Sequence, residues 1–114
     1  MNITVTKEAA AYMKPFQKEG EKWLLVYEKV GCTCSEEGIF SLRLVHHLPH
    51  HVESVTTDVG EIYVPVHQKV YLDKQMEIRY NPTYHDLEFV GAYEGILASH
   101  FIIENEDGSQ RHRV

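Results

Sequence analysis

The chain has 114 residues, the size of one domain with its own core, and at 43% hydrophobic content it needs neither disulfides nor a structural metal to fold. Eleven Lys and Arg against 17 Asp and Glu give a formal charge of −6, which opposes attraction to nucleic acid and to anionic membranes. No stretch approaches the roughly 18 to 20 apolar residues of a spanning helix, and Met1-Asn2-Ile3-Thr4 has no basic segment or apolar signal core, so a cytoplasmic protein is expected.

Ile3 and Val5 read as a short first strand, and Thr6 is a suitable N-cap for a helix beginning at Lys7. Ala9, Met13 and Phe16 share one face of it. Pro15 lacks an amide proton and crowds the preceding turn, at about 3 kcal/mol inside a helix, so the helix should end near Lys14. The β-branched and aromatic run from Trp23 to Val30 predicts a strand with apolar residues on both faces, hence an interior one. Ile39 to Val45 alternates Phe40, Leu42 and Leu44 with Ser41 and Arg43, the pattern of a half-solvated antiparallel strand.

Further strands are predicted at Glu61 to Val66, Met76 to Tyr80 and Leu87 to Val90, with Pro65 placing the first of these at an edge or a bulge. Phe101-Ile102-Ile103 forms a last apolar segment. The expected core contains Leu24, Val26, Leu42, Leu44 and Ile78, with mainly antiparallel pairing. Residues 1–105 are read as the core domain and 106–114 as a polar, flexible tail. No internal repeat or shift in composition divides the chain.

Two stretches carry chemistry. Gly31-Cys32-Thr33-Cys34-Ser35-Glu36-Glu37-Gly38 places both cysteines of the chain in a glycine-flanked loop between two strands. A Cys-x-Cys pair without further cysteines is not a secreted disulfide framework; free thiols, metal ligands or a redox pair all fit it. His46-His47-Leu48-Pro49-His50-His51 holds four imidazoles within six residues, but no Cys-x-x-Cys or His-x-x-x-His partner accompanies them, so an exposed loop with adventitious metal affinity is expected. His67, His85 and His100 stand alone in strand-like or apolar surroundings. Glycine-rich phosphate loops, Gly-x-Ser-x-Gly elbows and His-Glu-x-x-His helices are absent, which points away from an enzyme.

The order of these pieces resembles the HesB/IscA-like family of iron–sulfur biosynthesis proteins. Ile3-Thr4-Val5-Thr6 followed by Glu8-Ala9-Ala10 is similar to that family's first strand and helix, and Trp23 to Val30 leading into Gly31-Cys32 resembles the strand that carries its first cysteine. Tyr71-Leu72-Asp73 before Met76 to Tyr80, and Phe101-Ile102-Ile103-Glu104-Asn105, resemble its later landmarks. The likeness spans about nine-tenths of the chain along the predicted elements. It implies a mostly β (α+β) fold, a compact HesB-like sandwich or barrel of mainly antiparallel strands with one or two short helices. It also implies a non-catalytic carrier or assembly role with iron or an iron–sulfur cluster on Cys32 and Cys34, and apo-proteins as recipients.

The sequence departs from the family pattern in two places. Carriers of this type close with a Cys-Gly-Cys pair, whereas residues 106–114 contain no cysteine, and residues 81–100 look like an insertion. Either Cys32, which follows a glycine, or Cys34, which precedes a serine, matches the family's loop cysteine. A second reading therefore stands beside the first, a module that kept the fold for binding other proteins and has no metal centre. Cluster iron usually takes four thiolates and one chain offers two, so a metal-loaded homodimer is the expected form of any shared centre.

Overall fold

A computed structural model describes residues 1–29, 38–93 and 95–111. Strand β1, Asn2–Val5, leads into helix α1, Lys7–Met13, whose first turn is capped by the Thr6 hydroxyl accepting from the Ala9 amide at 3.2 Å. Pro15 does end the helix, and the chain tightens through a 3₁₀ turn, Lys14–Phe16. Next come β2 (Lys22–Lys29), β3 (Gly38–Val45), β4 (Val52–Thr57), β5 (Gly60–Pro65) and a 3₁₀ segment, Val66–Tyr71. Strands β6 (Gln75–Asn81), β7 (Asp86–Gly91), β8 (Gly95–Phe101) and β9 (Ile103–Glu104) complete the fold.

Two mixed sheets result. One has the order β1-β6-β7-β8 and the other β4-β5-β2-β3-β9. The hairpin neighbours β2·β3, β4·β5, β6·β7 and β7·β8 are antiparallel, as expected, whereas β1·β6, β2·β5 and β3·β9 pair in parallel. Parallel pairs join strands distant in sequence, so no local turn signal announces them. Strand β4 was not predicted, because only Val55 of Val52–Thr57 is buried and the segment lacks a continuous apolar alternation. Residues 81–100 are integral to the fold, supplying β7 and most of β8, with Leu87 and Phe89 deep in the core.

The β2·β3 register decides which face lies inward. Trp23 pairs with Leu44, Leu25 with Leu42 and Tyr27 with Phe40, and directly paired residues share a face. The main core is therefore built from Trp23, Leu25, Phe40, Leu42, Leu44, Ile62, Val64, Ile78, Phe89 and Phe101 together with α1. Leu24 and Val26, assigned above to that same core, are buried on the opposite face, in a small cluster with Val45 against Leu48, Val52 and Tyr63. The indole of Trp23 enters the interior with its N–H donating to the Gln17 side-chain amide oxygen Oε1 at 3.2 Å.

Pro65 is also placed differently from expectation, since β5 is interior. The Val66 amide donates to the His51 carbonyl at 2.9 Å, which makes Val52·Pro65 a non-hydrogen-bonded pair and turns the proline nitrogen away from β4, toward β2. There the ladder to β2 covers only Ile62 and Tyr63, so the missing donor is not needed.

The polar closing segment makes more contact with the body than its composition suggested. Arg111 reaches Glu21 with two parallel bonds of 2.7 Å and the Phe16 carbonyl at 2.9 Å, and its amide donates to the Ile103 carbonyl. A turn at residues 105–109 is closed by the Asn105 amide donating to the Ser109 carbonyl at 2.7 Å. Gly108 sits there with φ +91°, where any side chain would be strained, and a Cβ would approach the Arg43 guanidinium to 3.2 Å.

Candidate functional site

Strands β2 and β3 are paired to their ends, Glu28 with Ile39 and Lys29 with Gly38, so eight residues of sequence connect a fixed pair of anchors. Cys32 and Cys34 belong to that connection and lie outside the described residues. What the fold determines is the ground on which the connection stands.

That ground is rigid on its core side. Gln68, buried in the 3₁₀ segment Val66–Tyr71, accepts from the Tyr27 amide at 3.2 Å and donates to the Tyr27 carbonyl at 3.3 Å. Its side-chain amide thereby continues the β2 edge beyond the short ladder to β5, bonding both backbone groups of Tyr27. Tyr71 stacks on Tyr27 with centroids 4.3 Å apart, Tyr27 meets Phe40 at 4.7 Å, Phe40 meets Phe89 at 5.5 Å, and Phe89 stacks on Phe101 at 4.9 Å. A row of aromatic rings thus runs from the half-exposed Tyr71 into the core. Replacing Gln68 with Leu keeps the volume and removes both bonds to the part-buried Tyr27 backbone, so a loss of about 1 to 3 kcal/mol is expected in urea denaturation. A loss near zero would show that the amide is not serving as a strand surrogate.

The outer face of the same strands is charged. Arg43 bonds Glu28 and Glu104 at 3.0 Å each, and Ser41 donates to Glu104 at 2.9 Å. Burial pulls the Arg43 guanidinium down, but its hydrogen bonds and ion pairs with Glu28 and Glu104 outweigh that and hold it above its ordinary value. The pair with Glu28 is largely exposed and contributes little; the pair with Glu104 is shielded.

Histidines 46, 47, 50 and 51 are all exposed, as expected of a loop. Glu106 accepts from the His46 and His47 amides at 3.2 and 3.4 Å and lies 3.3 Å from the His46 ring. The His46 hydrogen bond, aided by the two backbone amides, lowers the Glu106 carboxyl below the usual range. His51 has φ 59° and its ring is 6.4 Å from that of His50. His67 is exposed, and His85, also with positive φ, meets the Tyr80 hydroxyl at 3.0 Å. Among the described residues no three His, Cys, Asp or Glu side chains converge as a metal site would require. No helix among them is long and apolar enough to cross a membrane.

Two structural groups escaped the reading of the sequence. Gln68 and the Glu21–Arg111 pair, the latter 90 residues apart, occupy unremarkable polar stretches, and no spacing rule links them.

Comparison with known proteins matches residues 1–104 to the family model described as iron–sulphur cluster biosynthesis. The uncharacterized protein YqkB of Bacillus subtilis (strain 168) is 36% identical over 83 residues, spanning 71% of this chain and 78% of that one. Among solved structures, a candidate Fe–S biosynthesis protein of Lactobacillus salivarius superposes with TM-score 0.73 at 22% identity, covering 92% of this chain and 98% of that chain. Escherichia coli SufA, described as involved in biosynthesis of iron–sulfur clusters, superposes with TM-score 0.58 at 14% identity over 80% of this chain and 86% of its own. These structural likenesses establish the fold. With the family model covering all but the last ten residues, the chain belongs to the iron–sulphur cluster biosynthesis family.

Proposed function

We propose that the protein handles iron or an iron–sulfur cluster as cargo, in a non-catalytic carrier or assembly role, with Cys32 and Cys34 as its ligands. The observation that carries this reading is the position of the thiols: both cysteines of the chain fall in the one eight-residue connection between the paired ends of β2 and β3. Thiolate is the donor that cluster iron prefers. The strand ends beneath are braced by Gln68 and the Tyr71–Tyr27–Phe40 stack, which supports a connection whose anchors do not shift when a metal is taken up or released.

Two thiolates per chain are half of the usual set. A centre shared by two copies, each contributing Cys32 and Cys34, supplies four without outside donors. Cargo would then be passed to apo-proteins by thiolate exchange, and metal loading would drive dimerisation because coordination adds binding energy that the apo interface lacks.

Anaerobic reconstitution with ferrous iron and sulfide tests this directly. Coloured protein should elute as a dimer on a sizing column, and Cys32→Ser or Cys34→Ser should each abolish both the colour and the shift. Colour confined to the monomer, or surviving loss of either thiol, would rule out the shared centre. An absence of colour under all conditions would leave a protein-binding module as the better account.

A further inference from the structure

The end of the sheet that carries the cysteine connection is also where apolar side chains lie uncovered. Ile39, Val66, Val70 and Tyr71 are four of the eight large apolar residues left exposed among those described. Register brings them to this one end. Ile39 pairs with Glu28 and so stands beside Lys29, the last residue of β2. Ile62 pairs with Trp23, so Pro65 is level with Val26, and the 3₁₀ segment Val66–Tyr71 follows it at the same end. Tyr71 stacks on Tyr27, which is two residues, roughly 7 Å, from the end of β2.

These residues flank the base of the connection on both sides. Tyr27 and Phe40 face the main core, so Ile39 stands on the outer face, whereas Tyr71 lies on the core side against Tyr27. Val70 is 81% exposed, on a segment whose position is fixed by the two Gln68 bonds to Tyr27. Single exposed apolar residues are common, but several gathered around one end mark a surface for association.

Charge and ligand count indicate what covers it. Each chain carries a formal charge of −6, so two copies repel over much of their surface. Within Val66–Tyr71 the one formally charged side chain is Lys69, and it is paired with Glu53 at 3.0 Å, which leaves the patch neutral. A four-thiolate centre is incomplete without a second copy, and when two connections meet, the surfaces beside them are brought together.

Resting on the shared centre argued above, we propose that Ile39, Val66, Val70 and Tyr71 form the contact between two copies around that centre, each patch meeting its counterpart across a two-fold axis. Four side chains fall far short of the roughly 20 to 30 residues a side of a stable interface. The contact therefore forms with the centre and not before it, adding apolar burial to thiolate coordination.

The test is Val70→Glu in full-length protein reconstituted anaerobically with ferrous iron and sulfide. So exposed a position tolerates the change, which urea denaturation verifies, and the two-fold axis brings two like charges together. The coloured dimer should dissociate with a constant raised at least tenfold, measured by sedimentation. Val70→Lys should act in the same direction, because either sign meets itself across the axis. Ile96→Glu, at a 60% exposed position of the other sheet, should leave the constant unchanged. In the wild type, hydrogen exchange at the Val70 to Leu72 amides should slow on loading. A coloured dimer indifferent to both Val70 variants, weakened as much by Ile96→Glu, or showing no slowed exchange at Val70 to Leu72, would overturn this contact and leave the shared centre standing. Absence of a coloured wild-type dimer would overturn the two together.

Discussion

Arg111→Ala is expected to destabilise the protein by about 3 kcal/mol, lowering its melting temperature by 10 °C or more at neutral pH. The size follows from what is left behind. Glu21 is almost fully enclosed, with a side-chain exposure of 3%, and without the guanidinium its carboxylate would be buried and unpaired. Arg111 also holds the Phe16 carbonyl, so its loss releases the closing segment from the α1–β2 connection.

The same pair predicts a pH dependence. Its hydrogen bond to Arg111, against a smaller opposing effect of burial, lowers the Glu21 carboxyl from its ordinary value of 4.5. A carboxyl lowered on folding contributes stability that is complete above its unfolded value and is lost as pH falls through the folded one. The wild type should therefore lose this contribution progressively below pH 4.5, and the difference between wild type and Arg111→Ala should narrow over that window. Thermal unfolding of both proteins between pH 3 and 7 measures it. A difference that stays constant across the range, or a shift below about 2 °C at pH 7, would show that the closing segment is not held by this pair.

Leu42→Ala should cost ~2 to 5 kcal/mol in chemical denaturation, with the slope against denaturant unchanged. Leu42 is fully buried between Leu25 and the opposing sheet, where neighbours cannot collapse into the space without moving both layers. Leu24→Ala removes the same atoms from the three-residue outer cluster and should cost distinctly less, because that layer is thin and can relax toward solvent. Equal losses at the two positions would mean that the outer cluster is as tightly packed as the core.

These experiments separate what was legible along the chain from what was not. The Thr6 cap, the stop at Pro15 and the alternation in β3, β6 and β7 are local properties. A capping hydroxyl, a missing amide and a period of two act within a few residues, so the elements could be placed from the sequence. The position of both thiols between two predicted strands was legible for the same reason, as was the family, whose landmarks recur in order from Ile3 to Asn105.

Tertiary structure decided the rest. Apolar residues on both faces of β2 showed that it was interior, but only its register with β3 put Trp23 and Leu25, rather than Leu24 and Val26, against the main core. The parallel pairings, the role of Gln68 and the Glu21–Arg111 clasp each join residues tens of positions apart, through contacts that exist only once the sheets have stacked. Chain-local chemistry determined most of the elements, the family and the cysteine-bearing connection; long-range packing determined the inward face, the parallel pairings and the anchored closing segment.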